Sequence, residues 1–100
     1  MKSGFSIEWT DYALQELSAT FQYLENNFTE REMKNLAVEL DTVLKLIANN
    51  PKTFQSTDVP NMRKVIVKEC NTLFYRVKND QIVEILSFFS NRQNPIKSKY

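Results

Sequence analysis

The sequence predicts an α+β domain of element order strand, helix, helix, strand, strand, strand (βααβββ), with an N-terminal strand and an antiparallel helical hairpin packed on an antiparallel sheet. Three observations predict it. Apolar residues recur at helical spacing up to residue 47, then at period two after residue 60. The breaks fall on Asn-Asn and Asn-Pro pairs, since the chain has a single glycine. The link between the two helical stretches is short, which makes them antiparallel neighbours. One hundred residues suit a single domain, 1–100.

Each element has a local cause. Phe5-Ser6-Ile7-Glu8-Trp9 alternates apolar and polar, as a half-buried strand does. Thr10 can then cap a helix, with Asp11 favourable in its positive first turn. The stripe Ala13, Leu17, Phe21, Leu24, Phe28 follows, until Asn26-Asn27 interrupts it. Thr29-Glu30-Arg31-Glu32 is a capping box that starts a second helix. Its stripe is Met33, Leu36, Ala37, Leu40, Val43, Leu44, Ile47, and it ends at Asn49-Asn50-Pro51 because Pro51 disfavours helix in the residue before it. Residues 51–61 read as a polar loop.

Three strands close the chain. They are 63–69, 72–78 and 81–89, joined by turns at Cys70-Asn71 and Asn79-Asp80. Alternation puts Val65, Val67, Leu73, Tyr75 and Val77 under the helices. The opposite face carries Lys64, Lys68, Arg76 and Lys78 around Ile66 and Phe74. The last strand is apolar on both parities, so its register stays open; a bulge near Leu86-Ser87 is one solution. The early strand pairs at an edge of the sheet.

Composition removes several function classes. The chain has no histidine, so His acid-base chemistry, Ser-His or Cys-His pairs and His-containing metal sites are out. Its one cysteine, Cys70, has no activating partner and implies a reducing, cytoplasmic setting. No apolar run approaches the ~20 residues of a membrane span. No secretory signal, membrane contact, metal or cofactor is expected, and no glycine-rich loop is there to hold a phosphate. Charge is lopsided. Residues 1–58 hold five Lys/Arg against nine Asp/Glu, a balance of −4; residues 59–100 hold eight against three, a balance of +5. A basic half suits an anionic partner, and equally a solvated strand face.

Three segments carry a family resemblance. Trp9-Thr10 with Ala13 and Leu17, the strand Leu73-Phe74-Tyr75-Arg76-Val77, and the closing Phe88-Phe89-Ser90-Asn91-Arg92-Gln93-Asn94-Pro95 together resemble the RelE/ParE superfamily of bacterial type II toxin-antitoxin toxins. The resemblance spans residues 5–95 and implies a small toxin, active in the cytoplasm, associated with plasmid stabilisation and neutralised by a cognate antitoxin. It also implies one of two activities: ParE-like inhibition of DNA gyrase without nuclease chemistry, or RelE-like cleavage of mRNA on the ribosome. A nucleic-acid or protein-binding module without toxicity is the remaining alternative.

For a nuclease the candidate catalytic residues are Lys64, Lys68, Arg76, Arg92 and Tyr100. The resemblance makes Arg76 and Arg92 the target-binding candidates, and Ile66, Phe74 and Arg76 the antitoxin-binding ones. The departures favour the ParE-like reading. Ser90 stands where many relatives have histidine, Gln93 replaces the second basic residue, and Thr72 replaces an arginine. An ordinary lysine, with a pKa of about 10.4, is a poor base near neutrality. On structural grounds alone, Arg76 pairs with Glu84 or Glu69 across the sheet. Trp9 and Tyr75 read as core.

Overall fold

The computed structural model describes residues 4–68 and 71–90. Its elements are β1 (Ser6–Trp9), α1 (Asp11–Asn27), α2 (Glu30–Asn49), a 3₁₀ turn at Pro51–Thr53, β2 (Gln55–Ser56), β3 (Met62–Val67), β4 (Asn71–Val77) and β5 (Ile82–Ser90). The strands form one sheet in the order β1-β5-β4-β3-β2, with both helices on one face. The βααβββ order is as expected from the sequence, with two refinements. The edge strand β1 pairs with β5 in parallel, which the helical crossover between them allows. A two-residue strand, β2, forms within the polar loop and pairs with β3.

The helix ends have the expected chemistry. Thr10 Oγ1 accepts from Ala13 N at 3.2 Å, and Thr29 Oγ1 from Glu32 N at 3.4 Å. Phe28 N closes α1 by donating to Leu24 O, and Asn50 N closes α2 by donating to Leu46 O. Pro51 then starts the 3₁₀ turn, capped by Asn50 Oδ1 on Lys52 N. At the β4–β5 turn Asn79 Oδ1 accepts from Gln81 N at 2.8 Å.

The core lies between the helices and the inner sheet face. Leu36, Leu40, Val43 and Ile47 of α2 and Ala13 and Leu24 of α1 meet Val67, Leu73, Tyr75, Val83, Ile85 and Phe88. Ala37 and Phe28, assigned to the stripes by spacing, are exposed. Val77, expected under the helices, is 39% exposed, because β4 runs on past the point where Pro51 stops α2. Asn71, expected in a turn, opens β4 and is buried; its Nδ2 donates to Val67 O at 3.0 Å.

The open register of the last strand resolves into a bulge. Phe74 pairs with Ser87 and Tyr75 with Ile85, leaving Leu86 as the extra residue. The shift brings both Ile85 and Phe88, three apart, to full burial in the core. Polar groups beside the bulge are satisfied from the α1 side. Thr10 Oγ1 donates to Ile85 O at 2.9 Å, and Thr10 N to the same carbonyl at 3.1 Å. Glu16 Oε1 accepts from Ser87 Oγ at 2.7 Å and from Phe88 N at 2.8 Å.

Two expected outcomes follow from this core. Leu40, 7% exposed, packs in the cluster that holds Tyr75, so Leu40→Ala lowers unfolding free energy by roughly 2–5 kcal/mol in a urea titration. A loss below ~0.5 kcal/mol would contradict that packing. Tyr75 gives a pH dependence. Its hydroxyl donates to Pro51 O at 2.7 Å. Burial pushes its pKa above the ordinary 10.0, against the lowering pull of the Arg63 guanidinium and the Phe54 backbone. The fold therefore prefers the neutral phenol. Its contribution is complete below the unfolded value and lost as pH rises through the folded one. The stability gap between wild type and Tyr75→Phe narrows in urea titrations taken above about pH 10; a gap that stays constant there would refute the assignment.

Candidate partner-binding face

The helices cover one face of the sheet; the other is the candidate surface. Register sets its rows. Met62, Arg76 and Glu84 lie side by side across β3, β4 and β5, as do Ile66, Thr72 and Phe89; Lys64 lies opposite Phe74. Alternation along each strand brings these residues to one side.

The cations expected to cluster here have different surroundings. Arg76 Nε donates to Glu84 Oε1 at 2.8 Å, which neutralises it within the sheet. Lys78 Nζ lies 3.6 Å from Glu8 Oε1. Both pairs are open to solvent and are worth at most about 1 kcal/mol. Lys68 has φ of 52°, the left-handed region, so it leaves the strand's alternation. It lines a small cleft with Thr20, Glu32, Leu36, Asn71 and Ser90, at the end of the sheet beside the helical hairpin. Of the predicted cations in the described residues, only Lys64 stands on the outer face without a carboxylate partner. Arg92 and Tyr100 lie outside the described residues, as do Cys70 and Glu69.

The apolar part of this face also differs from expectation. Ile66 is exposed, at 54%. Phe74, expected to be exposed beside it, is buried at 7%. The reason lies in the stretch between β2 and β3. Thr57 N and Thr57 Oγ1 both donate to Met62 O, and Met62 N to Val59 O, so the loop folds back on the strand. Thr57, Asp58 and Val59 then line a ≈ 250 Å³ pocket together with Met62, Lys64 and Phe74. Exposed Val59 thereby joins Ile66 as an outward apolar residue. A polar loop composition gave no sign that it would cover an aromatic ring.

Two residues escaped sequence reading. Glu16, which enters the sequence reading only through the charge balance, accepts two hydrogen bonds at the β5 bulge. The signal was present: position 16 is three from Ala13 and four from Thr20, both buried, so it falls on the core stripe. Arg63 was counted only as charge. It is half-buried on the helix side, opposite Tyr75, with Nη1 donating to Phe54 O at 2.7 Å. Among the described residues no group of three or more His, Cys, Asp or Glu could hold a metal. No described helix is long and apolar enough to cross a membrane.

The fold has clear relatives. The toxin-antitoxin structure described as the chromosomal ParDE system from P. aeruginosa superposes with a TM-score of 0.71 at 16% identity, covering 89% of this chain and 98% of that one. The YoeB dimer from Staphylococcus aureus gives 0.57 at 17% identity, covering 83% and 92%. TrmO from Pseudomonas aeruginosa gives 0.54 at 13% identity, covering 90% of this chain but 37% of that one. At such identities the likeness is one of fold. No curated protein sequence is significantly similar to the chain. The sequence profile of the ParE toxin of the type II toxin-antitoxin system parDE matches residues 7–95. That match covers nearly the whole domain, β1 to beyond β5, and the chain belongs to this family of type II toxins.

Proposed function

We propose that this toxin acts by binding DNA gyrase through the outer sheet face and the segment after β5, and that it is not a nuclease. A toxin of this family is paired with a cognate antitoxin. The observation that carries the target reading is the differing surroundings of the cations. Cleaving RNA without a histidine would need several cations converging on one phosphate to stabilise its developing charge. Instead, among the described residues, Arg76 is tied to Glu84, Lys68 sits beside the helical hairpin, and Lys64 has no carboxylate partner. A binder needs only a surface, and Ile66 and Val59 supply exposed apolar side chains with the basic Lys64 on the same face. The same face is the antitoxin-docking surface of this reading, with Arg76 at its border and Phe74 beneath it as support. Arg92, in the segment after β5, is the further target-binding residue of this reading. Action on gyrase places the toxin in the cytoplasm.

Expression without antitoxin separates the two activities. The expected outcome is lost supercoiling or DNA breaks with transcripts intact, relieved by Arg92→Ala. Transcript cleavage within codons, abolished by Arg76→Ala or Arg92→Ala, would overturn the proposal.

A further inference from the structure

The helix side of the sheet holds a second feature, remote from the outer face and independent of the toxin's target. Pro51 ends α2 before the sheet ends, so the inner face beyond it has no helical cover. A cleft of ≈ 630 Å³ opens there, lined by Phe5, Asn49, Lys52, Asn61, Arg63 and Val77, with Asn50 and Pro51 completing the wall. That volume lies within the range of small-molecule sites, roughly 300–1,000 Å³.

Its chemistry is one-sided. The lining has two cations, three carboxamides and no carboxylate. Arg63 is half-buried, and its guanidinium is held by a neutral carbonyl, Phe54 O, at 2.7 Å. Among the described residues no carboxylate pairs with Arg63 or Lys52. A partly desolvated guanidinium without a counter-charge is costly, and an oxyanion that can accept two of its N–H bonds, such as a phosphate, suits its planar fork. The C-terminus of α2 opposes an anion, but with only about half an elementary charge against two full ones. The walls are braced: Tyr75 donates to Pro51 O, and Phe5 N to Ala48 O at 2.8 Å.

The other lining groups define the rest of the ligand. Phe5 and the exposed part of Val77 offer apolar surface for a flat ring. The carboxamides of Asn49 and Asn61 each carry donor and acceptor together, the pattern that reads the edge of a nucleobase, while Asn50 Oδ1 already accepts from Lys52 N. We propose that this cleft binds a nucleoside monophosphate group, with its phosphate on Arg63 and Lys52 and its base against Phe5 and the carboxamides. A free nucleotide and the phosphorylated end of a nucleic acid strand share this chemistry.

Calorimetric titration of the full chain with AMP, GMP, CMP and UMP tests it, beside orthophosphate, adenosine and a 5′-phosphorylated trinucleotide. The expected result is saturable one-to-one binding of at least one nucleotide, tighter than orthophosphate or adenosine. The trinucleotide distinguishes a strand end from a free nucleotide, and preference for either meets the proposal. Lys52→Gln and Arg63→Gln each weaken binding about tenfold, as loss of a charge-assisted hydrogen bond does. Lys52 is exposed, so Lys52→Gln keeps the test valid should Arg63→Gln fail to fold. No saturable binding by any nucleotide, affinity indifferent to Lys52→Gln, or orthophosphate binding as tightly as the nucleotides would each overturn it.

Discussion

The carboxylate of Glu16 holds the last strand in register, and the sheet's two faces depend on that register. Without a bulge, β5 would alternate strictly, and Ile85 and Phe88 would point to opposite sides. With Leu86 as the extra residue both enter the core, and Phe88 rests 6.4 Å from Trp9 between ring centres. A bulge breaks the ladder and leaves polar groups to satisfy. Glu16 takes the Phe88 amide and the Ser87 hydroxyl, while Thr10 serves the Ile85 carbonyl. Hydrogen bonds to an ionised group are worth roughly 1.5–3 kcal/mol net, more than neutral ones. One helix therefore clamps β5 from both its cap and its second turn. Phe88, Phe89 and Ser90, the strand residues after the bulge, are aimed by this contact.

Local causes were legible in the sequence because they act over a few residues. Thr10 and Thr29 cap their helices, Pro51 stops α2, and Asn79 makes its turn. The change of apolar period located the meander, and Tyr75 and Leu40 were placed in the core by alternation and stripe. What escaped depended on contacts between distant segments. Both parities of β5 are apolar, so its register needed the carboxylate of a helix some seventy residues earlier. Phe74 read as exposed because alternation cannot foresee a loop folding over a strand. Lys68 read as a face residue because a left-handed turn at its position ends the alternation that placed it. The candidate site was thus half legible: alternation exposes Ile66 and gives Arg76 a carboxylate partner, Glu84 or Glu69, while the left-handed turn at Lys68 and the burial of Phe74 had no local signal.

The differing surroundings of the cations link fold to function. A sheet face whose arginine is neutralised by a neighbour is a poor scaffold for phosphate chemistry and an adequate one for protein contact. The Arg76–Glu84 salt bridge is of low energetic value, so breaking it costs little. Exposed Ile66 and Val59 offer apolar surface of the kind that anchors an interface. The basic half of the chain adds long-range attraction, which speeds encounter with an acidic partner and is screened by salt. Family membership fits the same picture, a toxin held in check by a partner protein.

The central claim is that Glu16 fixes the bulge and through it the register of β5. Site-resolved amide exchange at Phe88, compared between wild type and Glu16→Ala and referred to the amide of Leu73 on the neighbouring strand, tests it most directly. Loss of a charge-assisted hydrogen bond predicts that Phe88 exchanges roughly ten- to a hundredfold faster relative to Leu73. Unchanged relative protection at Phe88 would show that the strand holds its bulge without Glu16, and would contradict the account.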